Sequence, residues 1–198
     1  MIVMSNTLKI AFTGKRPGKY SDYNLGTMRN RQIVSDLETY LLRLNKQVPI
    51  EEVYTGGALG FDTHAFMAVA KVNKKLRTTI DGKSYHQIIT NLCIPFENQS
   101  MKWKDRDKEI YNQMKRFSDV VHYVDTIPAY SDKNTKVGVY SGYKMQKRNE
   151  FMIDNCNLLI AFWDYEEKGG TWNAIKYAKS KGIEVKIIDA RRYLNMSR

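Results

Sequence analysis

The chain has 198 residues, 42% apolar and 27% charged, which suits a globular protein with one core and leaves little room for two domains. Lys and Arg outnumber Asp and Glu by 32 to 21, and the resulting charge of +11 favours anionic partners such as nucleotides or nucleic acid. No apolar run approaches the roughly 20 residues that cross a bilayer, so no membrane-spanning helix is expected.

The start, "MIVMSNTLKIAFTG", lacks the basic head and small-residue cleavage site of a signal peptide. Its run Leu8–Thr13 predicts a first strand ending at Gly14. After the polar loop "GKRPGKYSDYNLG" a helix is expected through about Leu44, because Ile33, Leu37, Tyr40, Leu41 and Leu44 share one face. Val53 and Tyr54 close a second strand. The next helix carries Phe61, Ala65, Ala68, Val69, Val72 and Leu76 on one stripe. The Asp-Gly pair in "TTIDGKSYHQ" signals a turn, and "QIITNLCIPF" a third strand stopped by Pro95.

A helix over about Asp105–Phe117 leads to a fourth strand, "DVVHYV", and then to a long polar and aromatic loop, "DTIPAYSDKNTKVGVYSGY". Lys144 to about Asn155 reads as a helix, "LLIAFW" as a fifth strand, Thr171–Lys181 as a helix and "IEVKII" as a sixth strand before a basic tail over residues 189–198. Strands that are continuous apolar runs, alternating with helices, point to a parallel sheet covered on both faces. The fold class expected is α/β, a doubly wound Rossmann-like sheet in a single domain. Cys93 and Cys156 sit inside apolar runs and read as buried free thiols of a reducing cytoplasm.

In such sheets ligands bind beyond the carboxyl ends of the strands, where three loops carry chemistry. In "TGKRPG", Gly14 allows a sharp turn and Arg16 offers a fork of donors to phosphate or carboxylate; a plain surface loop is the alternative. In "TGGALGFDTHA", Gly56 and Gly57 would leave backbone N–H groups bare, and Gly60 eases the way into a helix with a positive N-terminus. Asp62 is read as a helix cap or a ligand contact. In "EEKGGTWNAIKYA", Gly169, Gly170 and Thr171 sit at a second helix start on the same edge, where Thr171 can cap the helix and still offer a donor to phosphate. Two neighbouring anion sites would suit a ligand with more than one phosphate, or a phosphate and a ribose. Asn149, on a face shared with Met145, Met152, Ile153 and Cys156, either ties two loops together or points into the pocket beside Arg148. The basic segments have helical spacing, so solvated helix faces compete with a nucleic-acid surface as their explanation.

Taken in order, "TGKRP", "TGGALGFDTHA", "IPFENQSMKW", "KRNEFMIDNCNLLIAFWD" and "GGTWNAIKYAKSKG" resemble the SLOG superfamily, the nucleotide-binding Rossmann group that joins the DNA-processing protein A and LOG families. The likeness is nearest to its YpsA-like branch and extends from about Leu8 to Ile188. It implies a nucleotide or nucleotide-derived ligand over the glycine loops. The matched positions are Gly14, Arg16, Pro17, Gly56, Gly57, Gly60, Asp62, Trp103, Arg148, Asn149, Asp154, Trp163, Gly169, Gly170 and Thr171, with Ala58 inside the second loop. Trp103 and Trp163 are each either base-stacking or core residues.

The LOG phosphoribohydrolases have a longer Pro-Gly-Gly-x-Gly-Thr motif followed by a glutamate, and "EKGGTWNAIKYA" has neither the extra glycine step nor the acid. Three functions therefore remain in view. The chain binds and senses or sequesters an ADP-ribose-like or cyclic signalling nucleotide; or it is a nucleotide N-glycosidase using Asp62, Glu166 or Glu167; or it binds single-stranded nucleic acid. A bound nucleotide would be its one cofactor, no metal site is expected, and the relatives imply a cytoplasmic homo-oligomer of a bacterial cell or a phage-infected host.

Overall fold

The computed structural model describes residues 7–77 and 86–196. The turn expected at Asp81–Gly82 lies outside them. The elements run β1 (Leu8–Gly14), α1 (Met28–Gln47), β2 (Ile50–Thr55), α2 (Phe61–Arg77), β3 (Ile89–Ile94), α3 (Asp105–Phe117), β4 (Val120–Tyr123), α4 (Gly142–Asp154), β5 (Leu158–Trp163), α5 (Gly169–Ser180) and β6 (Glu184–Asp189). Helix α1 begins where Thr27 accepts a hydrogen bond from Asn30 N–H, and α4 where Ser141 accepts one from Tyr143 N–H.

All pairings are parallel, in the order β4-β3-β2-β1-β5-β6. The chain builds outward from β1 to β4 on one side, then returns to place β5 on the other side of β1. The β1/β5 boundary is thus the point where the winding direction reverses, and there a crevice opens beyond the strand ends.

Alternate residues of each strand serve opposite faces. Ile10, Phe12, Val53, Ile160 and Phe162 meet α1 and α2, whereas Ala11, Tyr54, Leu159 and Ala161 meet α4 and α5. Leu92 and Ile94 of β3 bury Tyr111 and Met114 of α3. The Phe61 ring stacks on Phe162 with centroids 5.0 Å apart, seating the start of α2 beside the end of β5. Gly14 lacks a side chain for this reason, since a Cβ there would stand 2.5 Å from that of Phe61.

The basic tail is anchored at two points although Arg191, Arg192, Leu194 and Asn195 are exposed: Tyr193 is buried and its hydroxyl donates to Asp36, while Arg29 donates to the carbonyls of Leu194 and Met196.

Candidate functional site

A cleft of about 520 Å³ lies at the carboxyl ends of β1 and β5, within the size range of small-molecule sites. Gly14, Lys15 and Arg16 form its floor, Ala58 and Asp62 one side, and Arg148 and Asn149 of α4 another. The first turn of α5, Gly169 to Thr171, closes it. The first and third loops expected from sequence, and part of the second, do face one space.

Their chemistry differs from the expectation of two bare anion sites. In the second loop, the Gly56 and Ala58 N–H groups donate to Asp62 Oδ2 at 3.1 and 3.2 Å. The Arg148 Nη1 donates to the Gly56 carbonyl and lies 3.8 Å from the same carboxylate oxygen. A Cβ on Gly56 would fall on the Arg148 guanidinium, and one on Gly60, at φ +97°, would stand 2.6 Å from the Lys15 carbonyl. These glycines make room for the protein's own groups, so the second loop is filled from within. Asp62 is not the expected N-cap: from the first turn of α2 it ties down the preceding loop, and it also lines the cleft.

The start of α5 is different. Its N-cap is Lys168, which makes no side-chain cap, and the first turn contains no acid. Thr171 is therefore not the cap; it stands in the first turn, buried and facing the cleft. A Cβ on Gly170 would meet nothing nearer than Asn149 Nδ2 at 4.0 Å, so packing does not require its missing side chain. Here backbone N–H groups and the helix dipole present positive charge to open space. Asn149 takes the second of its two expected roles, lining the cleft and accepting from Arg148 Nε at 2.9 Å.

Charge in the site is unevenly committed. Lys15 Nζ is 2.7 Å from Asp164 and 3.5 Å from Glu166. Burial works against the Asp164 carboxylate, but the Lys15 bond and the Glu166 N–H outweigh it and hold its pKa below the usual range. Among the described residues Arg16 makes no ion pair, and its exposed side chain borders the cleft and two further cavities. Burial pushes the Asp62 carboxyl up and the Arg148 guanidinium down, each opposed by the charge of the other.

Other expected site residues lie elsewhere. Trp163 is 7% exposed, stacks on Trp172 at 5.2 Å and donates to the Glu166 carbonyl, so it is a core residue that fixes the β5–α5 loop. Pro17 borders the Gly60 turn instead of the cleft. Asp154 pairs with Lys181 and accepts from Tyr130 and Tyr177 at the far end of α4. Glu166 and the exposed Glu167 do not line the cleft, which leaves Asp62 as its one carboxylate among the described residues. Trp103 lines a second cavity beside the cleft. Sequence reasoning missed Lys15, Tyr140, Met145 and Gln146. The adjacency of Lys15 to Arg16 and the place of Met145 on the Asn149 stripe were the available signals.

A doubly wound parallel sheet with a cleft at its reversal point defines the class: a single Rossmann-like α/β domain. The chain belongs to the YpsA (YspA SLOG) family, whose sequence model matches residues 10–193. It is 33% identical over 156 residues to the SPbeta prophage-derived protein YoqJ of Bacillus subtilis, covering 77% of this chain and 85% of that protein. With a UPF0398 protein of Lactobacillus acidophilus it shares 25% identity over 179 residues, 86% of this chain and 85% of the relative.

Among solved structures it is similar to the X-ray structure of DNA processing protein A from Streptococcus pneumoniae, with a TM-score of 0.56 and 15% identity. That match covers 91% of this chain and 50% of the other, so the chain spans half the length of that neighbour. A second neighbour is DNA processing protein A from Helicobacter pylori, described for its single-stranded DNA binding mode. It gives a TM-score of 0.53 at 16% identity, over 94% of this chain and 71% of that one. At these identities the likeness is one of fold. Among the described residues no helix is long and apolar enough to cross a membrane.

Proposed function

We propose that the chain binds a nucleotide or nucleotide-derived molecule in the cleft, with a phosphate against the first turn of α5, and senses or sequesters it. The observation that carries this reading is the start of α5, where an uncapped helix end and the side-chain-free Gly170 meet open space. Arg16, without an ion pair among the described residues, supplies the mobile countercharge. Catalysis is not part of the reading, because the cleft's one carboxylate among the described residues, Asp62, is engaged by two backbone donors and faces Arg148. Isothermal titration of the full chain with nucleoside phosphates, ADP-ribose and cyclic nucleotides tests it. One-site isotherms that weaken in a Gly170→Val variant are expected, and flat traces across the panel overturn it.

A second reading, single-stranded nucleic acid, is favoured by a separate observation. Lys102, Lys104, Arg106 and Trp103 border a third cavity that Arg16 links to the first two, a basic and aromatic path beyond the cleft. The description of the Helicobacter pylori neighbour points the same way. Oligonucleotide affinity that falls steeply with salt supports this reading, and salt-independent affinity rejects it.

A further inference from the structure

Beside the cleft lies a second cavity of about 500 Å³, and the two share Arg16, Tyr140 and Met145 in their walls. Its character is different. Phe96, Met101 and Trp103 make much of its surface apolar, with Lys102 as a charged neighbour. Trp103 is half-buried and braced edge-on by Tyr111 at 5.3 Å, and Phe96 is met edge-on by Tyr140 at 5.7 Å. Flat, apolar and aromatic walls of this kind suit a planar ring.

Gln99 adds a polar requirement. It lines the same cavity, is 8% exposed, and its Nε2 donates to the Gly56 carbonyl at 3.3 Å. A carbonyl partner fixes which end of the amide is nitrogen, so the other end is Oε1. That Oε1 is buried and, among the described residues, accepts no hydrogen bond. A buried acceptor without a donor is costly, and such groups are rare in folded proteins unless a ligand or water completes them.

We propose that this cavity is the base subsite of a nucleotide whose phosphate rests at the start of α5. The ring lies among Phe96, Met101 and Trp103, an N–H on its edge donates to Gln99, and Arg16 and Tyr140 flank the ribose between the two spaces. This inference rests on the cleft reading above and extends it from an anion site to a two-part site that recognises a nucleobase.

The test compares ribose 5-phosphate with the four common nucleoside monophosphates, titrated calorimetrically into the full chain and into its Trp103→Ala and Gln99→Leu variants. The expected result is that at least one monophosphate binds tenfold or more tightly than ribose 5-phosphate. Both variants should lose most of that gain while holding ribose 5-phosphate as the parent chain does, which also reports that they are folded. If ribose 5-phosphate and all four nucleotides bind equally well, the base subsite is overturned and the cleft reading stands. A gain that survives both substitutions places the base elsewhere and also overturns it. Binding of none of the five compounds overturns the inference, and the cleft reading then falls as well only if ADP-ribose and the cyclic nucleotides also give flat traces; binding confined to oligonucleotides overturns both.

Discussion

Arg148 and Asp62 hold one glycine turn between them: the guanidinium donates to the Gly56 carbonyl while the carboxylate accepts the Gly56 and Ala58 N–H groups, with 3.8 Å separating the two charges. Both side chains are buried, so removing one leaves the other charged without its counterpart. Asp62→Asn and Arg148→Met are each expected to cost about 3 kcal/mol in urea unfolding. The double variant should cost clearly less than the sum, since no isolated buried charge remains. Additive losses would show that the two groups act independently.

The glycines of the two loops should separate by what their substitution harms. Gly60→Ala forces a Cβ against the Lys15 carbonyl at a positive φ, and a loss of about 2 kcal/mol or more is expected, lowering Tm by roughly 4–8 °C. Gly170→Ala meets no neighbour and replaces a poor helix former, so Tm should hold or rise slightly while nucleotide affinity weakens. A Gly170→Ala variant with lower Tm and unchanged affinity would reverse the assignment of the two turns.

That contrast marks where the sequence stopped being readable. The strands were legible because a parallel sheet buries both faces, making "LKIAFT" and "LLIAFW" plain apolar runs, and the stripes of α1 and α2 matched helical spacing. The shared sheet edge followed from the order of elements. What occupies a glycine's empty side was not legible: Gly56 receives a guanidinium from 92 residues away, whereas Gly170 receives nothing. Locally the two patterns look alike. Trp163 and Trp103 show the same limit, since one stacks on Trp172 in the core and the other borders a cavity, and only tertiary packing separates them.

His64 sets an acid boundary on stability. It is fully buried in α2, neither ring nitrogen has a hydrogen-bond partner among the described residues, and burial pulls its pKa from 6.5 to about 4, opposed by Asp22. Below pH 6.5 the unfolded chain gains a proton that the folded chain refuses until about pH 4, so stability falls as pH drops through this window. The gap corresponds to about 3 kcal/mol in full. His122 shifts in the same direction, so the informative comparison is between the parent chain and His64→Leu. Urea midpoints measured from pH 7 to pH 4 should fall less steeply in the variant, and parallel curves would refute the assignment.

Lys144 controls the loop that separates the two cavities. Only 1% of its side chain is exposed, and its ammonium donates to Asp125 Oδ2 at 3.1 Å and to the carbonyls of Lys136 and Val139 at 2.6 and 3.0 Å. Asp125 Oδ2 also accepts the Gly138 N–H at 2.8 Å, so one buried ion pair pins the backbone on both sides of that glycine. Tyr140, two residues further on, lines both cavities and therefore depends on this anchor for its place. Lys144→Met leaves Asp125 buried without its cation, and a loss of about 3 kcal/mol is expected. Replacing both partners, as Asp125→Leu with Lys144→Met, should recover much of that stability but leave the loop untied. Amide exchange over residues 136–140 should then be faster, and nucleotide affinity lower, in both variants. Affinity restored along with stability in the double variant would show that the loop does not shape the site.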